Sequence, residues 1–258
     1  MEFLKFEKEG KVARISFNRP QVHNALNMEM IKELSQALDK CEKDDSIKVI
    51  LLRGEGKSFC SGADLKQFLE FTSGTGNAME YGLKIHFSVL KKMRSLPKPI
   101  IAEVKGYSIG AGLGILLATD YAIAAKSSIF SCGFILVGLS PDSGTSFFIP
   151  RSVNFKRAFE LMSTGRRFSA EEALNYGFVT EVVDDEMLEE RVEEVVKLYL
   201  NRPRTALSNL KKLLNASHSN SLDEQLSFEL CLAMLSTLSK DFVEGVKAGL
   251  EKRIPRFE

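Results

Sequence analysis

From Val12 to Asn18 apolar and polar residues alternate, Ala13, Ile15 and Phe17 against Arg14 and Ser16, the two-residue period of a half-buried strand. Asn18-Arg19-Pro20 stops it. The period then lengthens: Ile31, Leu34, Leu38 and Cys41 share one face of a helix that Asn27 is placed to cap. Ile47-Lys48-Val49-Ile50-Leu51-Leu52 reads as a buried strand. Strand, helix, strand in that order predicts a crossover unit and a parallel sheet. A helical stretch follows with Tyr81, Leu83, Phe87, Leu90 and Met93, preceded by the polar patch Thr72-Ser73-Gly74-Thr75-Gly76-Asn77, which reads equally as a mobile segment near a substrate tail or as an inert surface loop. Next come a short strand (Ile100, Ile101, Ala102, Val104), a glycine-dense turn (Gly106, Gly110, Gly112, Gly114) and the apolar run Ile115 to Ala118, predicted as a buried helix. Ser169-Ala170-Glu171-Glu172 is a capping box for a helix that Gly177 ends, and Phe178 to Val183 is a short β-rich run. From Asp185 onward the pattern is helical: Leu188, Val192, Val195 and Val196, then Pro203 to Leu214, then a second capping box from Ser221 to Glu224 ahead of Leu226, Leu230 and Met234.

Composition narrows the class. A chain of 258 residues, 44% hydrophobic and 27% charged, has material for a large core. Lys+Arg 35 against Asp+Glu 34 gives +1, so no global field draws it to nucleic acid or an anionic membrane. Cys41, Cys60, Cys132 and Cys231 are scattered, with no C-x-x-C pair and no histidine at zinc spacing. They read as reduced intracellular thiols, and no metal is expected. The first residues, MEFLKFEKEGKVARISF, carry charges throughout, no apolar run approaches the ~18 residues of a membrane span, and Arg256-Phe257-Glu258 is not a peroxisomal tripeptide. A cytoplasmic protein is the expectation. His23, His86 and His218 show no evident carboxylate or nucleophile partner and read as structural or exposed.

Two glycine turns and one acid carry the candidate chemistry. Gly110-Ala111-Gly112 at a helix start leaves backbone N–H groups without intrahelical partners. Gly62-Ala63-Asp64 repeats the arrangement after another strand, and two such donors can converge on one oxygen. A plain strand-to-helix loop with Asp64 as N-cap reads equally well. Asp142, beside Phe147, Phe148 and Ile149, would be partly desolvated and so a better proton acceptor near neutrality; Pro141-Asp142-Ser143-Gly144 is also ordinary turn chemistry. Gly56-Lys57-Ser58 is no phosphate-binding loop, because Leu51 stands where its first glycine belongs, and Gly110-x-Gly112-x-Gly114 lacks the spacing of a dinucleotide fingerprint.

Phe17-Asn18-Arg19-Pro20 with Asn24-Ala25-Leu26, then Phe59-Cys60-Ser61-Gly62-Ala63-Asp64, then Lys98-Pro99-Ile100-Ile101-Ala102 through Gly106 to Gly112, and finally Glu251-Lys252-Arg253-x-Pro255-x-Phe257 occur in order and spacing. With them the chain resembles the enoyl-CoA hydratase/isomerase, or crotonase, superfamily over essentially its whole length. The resemblance implies an α/β fold, the crotonase (ClpP-like) spiral of ββα units with a C-terminal helical region. Residues 1–198 would be the core with the acyl-CoA site, and residues 199–258 the helical region that builds a homotrimer or dimer of trimers. It implies an oxyanion hole at the Ala63 and Ala111 N–H groups and CoA contacts at Ala25, Ser61, Asp64, Leu65 and Lys66. Phe134, Leu136 and Phe148 are expected to shape an apolar acyl pocket. No cofactor is implied beyond the CoA of the substrate, and no nucleic-acid or membrane partner.

The departures are informative. Gly114 and Phe134 stand where the hydratases of this family carry two glutamates, and hydration needs groups to handle both protons. Asp142 falls where Δ3,Δ2-enoyl-CoA isomerases carry an acidic base after a proline, and Pro141-Asp142-Ser143-Gly144 is similar to the ring-opening isomerase of phenylacetate degradation. The expected activity is isomerisation of an enoyl-CoA thioester, on a fatty or an aromatic-derived acyl group. A hydratase or other lyase that recruits Asp142 with a further partner, and a non-catalytic CoA-ester binder, are the alternatives.

Overall fold

The computed structural model describes residues 1–72 and 77–257. The polar patch predicted between Thr72 and Asn77 therefore has its interior outside the described residues. The strands are β1 (Leu4–Glu9), β2 (Val12–Phe17), β3 (Val49–Gly54), β4 (Ile100–Val104), β5 (Tyr107–Ile109), β6 (Tyr121–Ala125), β7 (Ile129–Ser131), β8 (Arg167–Ser169) and β9 (Glu181–Val183). The helices are α1 (Met28–Lys43), α2 (Leu65–Thr72), α3 (Asn77–Ser95), α4 (Ala111–Leu117), α5 (Thr145–Ser152), α6 (Phe155–Thr164), α7 (Ala170–Asn175), α8 (Leu188–Leu200), α9 (Arg204–Ala216), α10 (Leu222–Thr237) and α11 (Lys240–Leu250).

A six-stranded sheet runs β1-β2-β3-β4-β6-β9, antiparallel only at the β1–β2 hairpin and parallel elsewhere. Both faces are covered, which is why β3 reads as a continuous apolar run. Ile50 and Leu52 face a core shared with Leu34, Leu38 and Met93 of α1 and α3. Val49 and Leu51 face the other way, against Val192, Val195 and Val196 of α8. Asn27 caps α1 as the sequence suggests, its side chain accepting from the Met30 N–H, and both capping boxes form.

A second, three-stranded sheet orders β5-β7-β8, and the residues just before α2 join it through a parallel bridge between Cys60 and Ser108. The chain thus repeats one turn of a spiral: a strand in the large sheet, a short strand in the small sheet, then a helix. β3, Cys60 and α2 make one turn; β4, β5 and α4 make the next. The glycine-dense stretch after β4 is accordingly a strand, β5, between two glycines at positive φ, Gly106 and Gly110, where the sequence suggested only a turn.

Helix α9 is tied to the sheet by the buried Lys211, whose Nζ lies 2.6 Å from Asp120 Oδ2. That same oxygen accepts the Ile100 N–H at the start of β4. On α10, α11 and the turn between them, Leu222, Leu226, Leu230, Leu238, Phe242 and Leu250 are exposed on the single chain. Among the described residues no helix is long and apolar enough to cross a membrane.

Candidate active site

The spiral brings the two small-residue turns together. Phe59 N–H donates to Lys105 O, Cys60 N–H to Tyr107 O, and Ile109 N–H to Cys60 O, all at 2.8 to 3.0 Å. This parallel register pairs Cys60 with Ser108. Three residues further along each segment stand Ala63 and Ala111, equivalent positions on consecutive turns.

Each amide is left free for a local reason. Leu26 N–H donates to Gly62 O at 2.7 Å, and Asp64 N–H donates to Leu26 O at 2.9 Å. In extended chain successive amides face opposite edges, so the Ala63 N–H points away from Leu26. Ala111 opens α4, so its N–H has no acceptor in the preceding turn. Among the described residues neither amide donates to a backbone carbonyl outside the helices and strands. Glycine is required at the contact: a Cβ on Gly62, whose φ is +97°, would lie 2.8 Å from Ile109 O and 3.8 Å from Ala111 N. One on Gly112 would lie 2.4 Å from Cys60 O.

A cavity of about 460 Å³ opens on these amides, lined by Ala63, Ala111, Phe134, His86, Asp142 and Ser143 among others. That size suits a small-molecule site. All five residues expected against CoA, Ala25, Ser61, Asp64, Leu65 and Lys66, line it too. Arg19, which the sequence marks only as part of the Phe17-Asn18-Arg19-Pro20 motif, braces that end. Its guanidinium donates to Ala25 O at 2.6 Å and to Asp64 Oδ2 at 2.9 Å. Burial works against the Asp64 carboxylate, but the Arg19 bond and charge, with the backbone amides of Lys66 and Gln67, outweigh it and hold the group below its ordinary pKa. Buried Asn24 sets the loop, accepting from Arg19 N–H and donating to Glu55 O and Ser58 O.

Asp142 sits at the first position of a tight turn. Its carbonyl accepts from both the N–H and the hydroxyl of Thr145, and the two central residues, Ser143 and Gly144, have φ of +54° and +72°, the pattern of a type I′ turn. The turn reading and the base reading of this residue are therefore compatible. Burial raises the carboxyl above its ordinary pKa, and a bond from the Ser143 hydroxyl to Oδ1, at 2.5 Å, works against that rise.

Neither absent glutamate has a replacement at its own place. A Cβ on Gly114 would lie 2.3 Å from Ser143 O and 2.5 Å from Ser143 Cβ. The turn that carries Asp142 occupies the space where a side chain at position 114 would begin. Phe134, 7% exposed, presents an apolar ring to the cavity wall.

Two of the expected pocket residues, Leu136 and Phe148, lie outside this cavity. Leu136 is 69% exposed; the segment Phe134–Val137 is a short 3-10 turn between two left-handed glycines, Gly133 and Gly138, which carries Leu136 out over Gly165. Phe148 packs beside Gly144 and lines a second, larger cavity of about 950 Å³. That cavity shares Asp142 and Ser143 with the first but does not reach Ala63 or Ala111. Two of the histidines have hydroxyl partners that the sequence does not reveal. His23 Nδ1 lies 2.9 Å from Ser58 Oγ, and His86 Nε2 lies 2.9 Å from Ser143 Oγ. A signal for His86 existed: it lies three residues after Leu83 and four before Leu90, on the inward stripe of α3.

The family model described as "Enoyl-CoA hydratase/isomerase" matches residues 7–258. The chain is 36% identical over 260 residues to the 1,2-epoxyphenylacetyl-CoA isomerase of Escherichia coli, covering 100% of this chain and 98% of that protein. It is 36% identical over 255 residues to a probable enoyl-CoA hydratase of Rhodobacter capsulatus, covering 98% and 97%. Its structure superposes on the crystal structure of an enoyl-CoA hydratase from Polaromonas sp. JS666 with a TM-score of 0.95 at 29% identity, covering 99% of each chain.

Proposed function

The chain belongs to the enoyl-CoA hydratase/isomerase family and has its crotonase fold, and from that premise we propose that it isomerises an enoyl-CoA thioester with Asp142 as its one proton carrier. The observation that carries this reading is the site's acid–base inventory: Asp142 lines the cavity onto which the Ala63 and Ala111 amides open, while Gly114 and Phe134 hold no carboxylate.

In this mechanism the thioester oxygen accepts hydrogen bonds from the Ala63 and Ala111 N–H groups. Asp142 removes a proton from C2 of a 3-enoyl-CoA, and the electron pair passes into a dienolate whose negative oxygen those amides stabilise. The carboxylic acid so formed returns the proton to C4, and the double bond ends between C2 and C3. No water enters the product and no electrons are gained or lost. Burial favours this use of Asp142, since a carboxylate with a raised pKa is the stronger base. Hydration would need a second group to activate water, and Phe134 occupies one of the two places from which the family supplies it.

The test is the fate of the migrating proton. In a 3-enoyl-CoA deuterated at C2 and turned over in ordinary water, part of the label is expected at C4 of the product. Complete loss of the label to solvent from the first turnovers would speak against a single shielded carrier.

A further inference from the structure

Ser143 has one hydroxyl proton, and its Oγ stands within hydrogen-bond reach of two groups: Asp142 Oδ1 at 2.5 Å and His86 Nε2 at 2.9 Å. If that proton lies on the bond to the Asp142 carboxylate, the bond to His86 must be donated by the imidazole, which fixes the Nε2–H tautomer. We propose that His86 and Ser143 form a two-step hydrogen-bonded chain that holds Asp142 with Oδ1 tied and Oδ2 presented to the substrate. Both are positioning residues, and the inference rests on Asp142 being the base.

Three features of the structure converge on this assignment. His86 is 3% exposed and its Nδ1 has no hydrogen-bond partner among the described residues. An apolar side chain would fill that place without leaving a buried nitrogen unsatisfied, so packing alone does not account for a histidine here. Ser143 holds a left-handed conformation, φ +54°, that a residue with a Cβ adopts at a cost. Glycine would be the easier residue there, but it could not supply the hydroxyl. Finally, burial alone pushes the His86 imidazole down to about 4, so it is neutral at working pH and donates without adding a charge beside the base.

Charged groups also line the two cavities beside the chain. In the cavity, Arg19 and Asp64 are paired with each other and Lys66 is exposed. The larger cavity on the other side carries Lys91, Arg94, Asp120, Arg151 and His218. Burial and the Ser143 bond are what shift Asp142.

The bond from Ser143 favours the ionised carboxylate, so losing it raises the pKa of Asp142 and activity is lost at higher pH on acidification. Ser143→Ala is expected to move the acid limb of the kcat/KM profile up by about one pH unit and to lower kcat about tenfold, with KM little changed. Ser143→Gly, which suits the positive φ, should do the same in a protein no less stable. His86→Leu should shift the limb in the same direction, whereas His86→Gln, whose amide can donate in place of Nε2–H, should restore the wild-type profile. In the unmodified protein, imidazole 15N spectra should show His86 as the Nε2–H tautomer. An Nδ1–H tautomer, or an unmoved acid limb in Ser143→Gly and His86→Leu, would overturn the chain while leaving the isomerase reading intact if Asp142→Asn is inactive. Full activity in Asp142→Asn would instead remove the reading on which the chain rests.

Discussion

Replacing Asp142 by Asn is expected to lower kcat by about 10²–10⁴-fold while folding and acyl-CoA affinity are kept, the range for a lost general base. The substitution is close to isosteric. The bonds that close the turn come from the backbone carbonyl of residue 142, which accepts from Thr145 N–H and Oγ1, so they survive the change. The amide oxygen of Asn can still accept from Ser143, so what disappears is the capacity to take a proton. If residue 142 serves only the turn, Asn does that work about as well and the rate should hardly change. Parallel losses of stability and rate would make the residue structural. Thermal denaturation and acyl-CoA titration beside the rate assay separate these outcomes.

Ala111→Pro removes one backbone donor and is expected to cost about 3 kcal/mol of transition-state stabilisation, a rate loss on the order of 10²-fold. Residue 111 is the first of α4, the helical position at which proline is best tolerated. The residue before it is Gly110, whose backbone carries no side chain to clash with the new ring. A folded variant is therefore expected, with circular dichroism as the check. The loss should fall mainly on kcat, because the amide matters most when the thioester oxygen carries charge. Near-normal turnover in the folded variant would remove Ala111 from the oxyanion hole.

The parts of this site that are local were legible in the sequence, and the parts that depend on distant pairing were not. Glycines flanking Ala63 and Ala111 announce free backbone donors, and Phe147, Phe148 and Ile149 announce a poorly solvated Asp142. Nothing in either segment announces that Cys60 pairs with Ser108, because the residues between them include two helices and a strand. That pairing is what makes two separate turns one site. The spiral escapes a search for sequence repeats for a related reason: each turn repeats a placement of strand, strand and helix, with helices of different length and number between.

Short or charged strands escaped as well. β1 places Lys5, Glu7, Lys8 and Glu9 around Leu4 and Phe6, β6 is mostly alanine, and β7 and β8 span three residues each. Their strand character comes from neighbours rather than from propensity. Leu136 and Phe148 are apolar and close in sequence to Asp142, which is all that the sequence shows of their placement. Left-handed residues at Gly133, Gly138, Ser143 and Gly144 turn the chain so that both leave the cavity. For His86 the inward position on α3 is readable, but its partner, Ser143, lies 57 residues away.

The central claim is that one carboxylate serves this site, and the most direct measurement compares two activities of the unmodified protein on acyl-CoA thioesters of the same chain length. Isomerisation of the 3-enoyl-CoA and hydration of the trans-2-enoyl-CoA would be followed side by side. With Gly114 and Phe134 in place of the two carboxylates, isomerisation should exceed hydration by about 10²-fold or more, the contribution of one acid–base group. Hydration as the faster reaction would contradict the account.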